Sequence, residues 1–83
     1  MSAMILFRSL TYAQRGLYLL SGHGIPGKLI RSPAELTSRG CGYAVTVSAR
    51  RLQEAAEVLR AADALTEKVY YQLSDGGFRE AEI

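Results

Sequence analysis

The order in which the apolar residues change period along this chain leaves few folds open. Ala3 to Arg8 opens with a short continuous apolar run, the pattern of a buried strand. Thr11-Tyr12-Ala13-Gln14 reads as a capping box that starts a helix. That helix puts Leu17, Leu20 and either Ala13 or Gln14 on one side and stops around Gly22 to Gly24. Ile25-Pro26-Gly27 turns the chain into a second strand, Lys28 to Arg31, and Ser32-Pro33-Ala34-Glu35 predicts one isolated helical turn. Tyr43, Val45 and Val47 alternate with Ala44 and Thr46 in a half-buried third strand. Ser48 is the expected N-cap of the longest helix, Ala49 to about Ala62, whose Leu52, Ala55, Ala56, Leu59 and Ala62 form a core-facing stripe. Val69, Tyr71 and Leu73 alternate with Lys68, Tyr70 and Gln72 in a last strand.

The resulting order, β-α-β-β-α-β, is that of the ferredoxin-like α+β fold: a four-stranded antiparallel sheet with two helices on one face. A single domain is expected over residues 1–75, followed by a loose C-terminal tail, 76–83. In the usual strand order, 4-1-3-2, the end of the first strand lies beside the start of the third. Gly16 inside the first helix costs about 1 kcal/mol against alanine, and close helix–sheet packing is its plainest reason.

Composition narrows the function classes. Eighty-three residues allow one core, and at that size a partner or second copy would help to stabilise it. With 48% apolar and 22% charged residues the chain reads as globular and not disordered. A net charge of +2 is too small to imply nucleic acid by itself. The N-terminal run before Arg8 is too short for a signal peptide or a membrane span, and a single cysteine forms no internal disulfide. A cytoplasmic setting without membrane contact is the expectation.

That cysteine is the residue of greatest chemical interest. Cys41 lies in Ser38-Arg39-Gly40-Cys41-Gly42-Tyr43, just ahead of the third strand. A structural thiol is normally packed as a small hydrophobe, whereas Gly40 and Gly42 leave this sulfur little steric cover. Arg39 favours the thiolate, the nucleophilic form. Strand adjacency places Cys41 close to Ser9 through Thr11, where the first helix begins and carries roughly half a positive charge. The blander reading, a small residue tolerated at a strand entry, stays open beside this one.

Phe7 to Ser9, Gly24-Ile25-Pro26-Gly27, Pro33 to Leu36 and Ser38 to Gly42 together resemble the small family of selenium/sulfur carrier protein-like domains of unknown function. The resemblance covers about residues 4 to 73. It implies that Cys41, in the Cys-Gly pair with Gly42, is the family's residue of interest. Arg39 stands where a small residue is often found, and the turn-to-cysteine segment is about one residue longer than in many relatives. The resemblance implies a carrier more than a stand-alone enzyme. Its thiol would take a chalcogen from a sulfur or selenium donor protein and pass it to an acceptor protein. The anion would be supported by Arg39, Gly40, Gly42, Ser9 and Thr11, with no cofactor, no metal and no separate catalytic residue.

Two other classes compete. RNA-binding RRM domains share the element order, and Arg39 to Thr46 echoes an RNP1 pattern. The parity is against it, because Tyr43 shares a face with the core-directed Val45 and Val47, and Leu6 stands where a second stacking ring is wanted. An interaction module is the other class, with Tyr70, Thr46 and Arg8 lining an open sheet face that forms a homodimer. His23 reads as a helix C-terminal cap or solvent residue. Gly22 to Lys28 lacks the residue order of a phosphate loop.

Overall fold

The computed structural model describes residues 1–36, 42–65 and 67–82. Strand β1 is Ser2–Phe7, helix α1 Leu10–Gly22 and strand β2 Lys28–Arg31. A 3-10 turn, Ala34–Leu36, precedes β3, Tyr43–Ser48. A second 3-10 turn, Ala49–Arg51, leads into α2, Leu52–Ala61, and the chain closes with β4, Val69–Gln72, and β5, Phe78–Glu80. The architecture is α+β, with two helices and a five-stranded antiparallel sheet in the order β2-β3-β1-β4-β5.

The strand count corrects the sequence reading. Four strands were expected, and the fifth occupies the segment read as a loose tail. Its cause is local: Leu73 N–H donates to Gly77 O at 2.8 Å and Gly77 N–H donates to the Asp75 carboxylate at 2.8 Å. Gly76 takes φ 89°, a left-handed value that a glycine adopts without a Cβ penalty. The hairpin lets Ala81 N–H donate to Val69 O at 2.8 Å, and Ala81 is buried in the main core.

That core lies between the sheet and the helices. Ala3, Ile5 and Phe7 of β1, Val45 and Val47 of β3 and Val69 of β4 meet Ala13 and Leu20 of α1 and Leu52, Ala55 and Leu59 of α2. Alternation sends the intervening strand residues to the other face. There Met4, Leu6 and Ala44 are buried, with Ile30, Leu36, Tyr70 and Phe78 packed against them.

The helix starts differ from expectation by a few residues. Ser9, not Thr11, caps α1: its backbone is extended and its hydroxyl accepts from Tyr12 N–H at 3.4 Å. Serine at that position meets one of the free donors, the Tyr12 N–H, so the helix begins before the Thr11 box. Ser48 precedes a 3-10 turn and makes no side-chain capping bond. The start of α2 is held instead by Arg51, which donates to both carboxylate oxygens of Glu54 at 3.1 and 3.0 Å and to Gly24 O at 2.8 Å. Those bonds hold the Glu54 carboxyl below the usual carboxylate range. With the 3-10 turn split off, α1 is the longer helix, at 13 residues against 10.

Gly16 is where the sheet and α1 touch most closely. A Cβ built there would lie 2.9 Å from Phe7 Cε1 and nearer still to Cζ. The expected packing reason for this glycine is the one observed.

Candidate functional site at the end of β1 and β3

Antiparallel pairing of β1 with β3 sets Phe7 opposite Tyr43, and pairing of β2 with β3 sets Arg31 opposite the same Tyr43. Gly42, one residue before β3, therefore lies at the end of the sheet between Arg8 and Ser32. Ser32 N–H donates to its carbonyl at 3.1 Å. Gly42 is buried, and a Cβ built on it would stand 3.4 Å from Phe7 O and 3.5 Å from Ser32 Oγ. Thus the residue bonded to Cys41 sits where β1 passes through Arg8 and Ser9 into α1. Cys41, Arg39 and Gly40 lie outside the described residues.

Positive potential gathers at this end. No acidic residue occupies the first turn of α1, so nothing there offsets the partial charge of its free N–H groups. Ser9 is half-buried at the N-cap and Thr11 is exposed in the first turn. The Arg8 guanidinium lies 5.2 Å from the centre of the Tyr12 ring, and that of Arg31 lies 5.9 Å from the centre of the Tyr43 ring. Stacking on a ring face braces a long cationic side chain that would otherwise be free to move.

Sequence reasoning missed two features of the site. Arg31 is placed by strand register alone. Ser32 Oγ is buried without a hydrogen-bond partner among the described residues, beside Gly42. A buried hydroxyl without a partner costs about 1–3 kcal/mol and invites a functional explanation. In the sequence Ser32 only opens the Ser32-Pro33-Ala34-Glu35 helical turn; its register opposite Gly42 is the signal that finds it.

Other candidates fall elsewhere. Tyr43 packs against the helix-side core, not on the open face where an RRM presents its stacking ring. Leu6 lies on the opposite face from Tyr43. His23 is the C-cap of α1, and its Nδ1 donates to Leu19 O at 3.0 Å. Among the described residues no three His, Cys, Asp or Glu side chains gather as a metal site. Among the described residues no helix is long and apolar enough to cross a membrane.

Comparison with known families settles the relationship. The family described as putative Se/S carrier protein-like matches residues 2–71. The chain belongs to that family. The match runs from the start of β1 to within β4 and stops short of β5. No curated protein and no solved structure matches the chain.

Proposed function

We propose that this family member carries sulfur or selenium on Cys41 and passes it between proteins in the cytoplasm. The observation that carries the reading is the position of Gly42. Bonded to the chain's single cysteine, it adjoins the N-terminus of α1, whose first turn holds no acidic residue, two aromatic-braced arginines and a buried hydroxyl without a partner among the described residues. The strand order β2-β3-β1-β4 supports reading the fold as ferredoxin-like, extended by β5.

The chemistry needs no cofactor. The Cys41 thiolate attacks the outer sulfur of a donor persulfide, R–S–SH. A new S–S bond forms as the donor S–S bond breaks, and the donor leaves as R–S⁻. The transferred sulfur keeps its oxidation state, and its proton passes to the departing thiolate, leaving Cys41–S–S⁻ and R–SH. Selenium moves in the same way from R–S–SeH. The terminal anion is stabilised by Arg39, the Gly40 and Gly42 amides, the α1 N-terminus capped by Ser9 and containing Thr11, and the Ser32 hydroxyl.

Intact mass tests this directly. The protein is incubated with a cysteine desulfurase supplied with cysteine or selenocysteine, then compared with Cys41→Ser. A gain of one sulfur or selenium atom on the wild type alone is expected. An unmodified wild type, or an equal gain on the variant, removes the carrier reading.

A further inference from the structure

The sheet face away from the helices carries a row of residues that is complementary to itself. Register pairing runs Lys28 to Thr46, Thr46 to Met4, Met4 to Tyr70 and Tyr70 to Glu80. Paired residues point to the same face, so one line crosses all five strands. Strand β1 is central, with two strands on each side. At about 4.8 Å per strand, Lys28 and Glu80 each lie roughly 10 Å from Met4, in opposite directions. The line thus bears a cation at one edge, an anion at the other and an apolar residue at its centre.

We infer that this face is an interface with a second copy of the chain, related by a two-fold axis running along β1. That axis reverses the line. Lys28 of each copy then faces Glu80 of the other and Thr46 faces Tyr70, with the axis passing over the buried Met4. Facing sheets pack about 10 Å apart with strands within about 30° of each other, a gap that lysine and glutamate side chains can span. Both end residues are exposed. Lys28 forms no ion pair among the described residues, and Glu80 has only an exposed contact with Lys68 at 3.5 Å. Between them, Ile30, Tyr70, Phe78 and Leu36 of the 3-10 turn are half-buried over the buried Met4, Leu6 and Ala44, and these four side chains supply the apolar part of the contact. A two-fold interface is built from one patch facing itself, so both ion pairs form or neither does.

The test is sedimentation equilibrium over a range of protein concentrations, at low salt and under reductant so that no Cys41 disulfide links the copies. Wild type is expected to dimerise. Lys28→Glu and Glu80→Lys, each alone, place like charges at both ends and weaken the dimer about tenfold or more. Mixing the two variants restores association as a heterodimer, and the double variant K28E/E80K dimerises like wild type. Circular dichroism confirms that each variant is folded; should a single variant unfold, the double swap decides alone. A monomeric wild type, a single reversal without effect, or a double swap as weak as the single variants overturns the inference. Edge-to-edge pairing of β2 strands, which ignores Glu80, would show as insensitivity to Glu80→Lys and overturn it too.

Discussion

At the scale of single residues, the site and the core make opposite demands on small side chains. The Ser32 hydroxyl is buried without a partner among the described residues, so it opposes folding unless something at the site uses it. Ser32→Ala is expected to leave stability unchanged or raise it by about 1 kcal/mol, while shifting the pH midpoint of Cys41 alkylation upward. Wild type should alkylate with a midpoint below the free-thiol value of about 8.5. A wild-type midpoint at or above that value would argue against an activated thiol. Gly16 shows the converse demand. Gly16→Ala gains about 1 kcal/mol of helix propensity, but its methyl would be driven into the buried Phe7 ring. Overpacking of this kind costs about 1–3 kcal/mol, so a net loss is expected in urea denaturation. A more stable variant would mean that α1 and β1 separate easily.

At the scale of elements, periodicity made most of the fold legible. The alternation of Tyr43, Val45 and Val47 and the stripe through Leu52, Ala55 and Leu59 each carry enough positions to fix a face. β5 carries only Phe78, Arg79 and Glu80, two of them charged, too few for any period to show. Its signal was the turn: Asp75-Gly76 after an alternating strand is a hairpin dipeptide. The first helix was read from a capping box, yet Ser9 stood two residues earlier with the same chemistry, and sequence alone did not rank them. Strand adjacency predicted Cys41 close to Ser9 through Thr11, with Cys41 itself outside the described residues, whereas Arg31 and Ser32 required the register of β2 against β3. A chain ending at Asp75 checks the standing of β5. Losing the β4–β5 bonds and the buried Ala81 should cost roughly 1–3 kcal/mol and reduce hydrogen-exchange protection at Tyr71 and Leu73, whose N–H groups point to β5. A truncated protein as stable as wild type would make 76–83 the dispensable tail that its composition implied.

At the scale of the whole molecule, the two proposals use different surfaces, and this separates them. The proposed carrier site centres on Gly42 at the end of the sheet, where Phe7, Arg31 and Tyr43 share a row and α1 begins. The self-complementary row crosses the sheet three residues further along β2 and β3, at Lys28 and Thr46, or roughly 10 Å away. Its residues alternate with those of the helix-side core, so the proposed dimer would cover a face that the helices do not use. A donor protein approaching Cys41 would then reach the end of the sheet with the second copy in place. The expected outcome is independence. Cys41→Ser should dimerise with the wild-type constant, and Lys28→Glu should accept one chalcogen atom from the desulfurase at a rate within about twofold of wild type. Distant sites without shared partners are additive. Loss of chalcogen loading in Lys28→Glu, with restoration in the K28E/E80K double variant, would show instead that the carrier works only as a dimer. In that case the two copies would share one site, and the end of the sheet would have to be reconsidered as part of the interface.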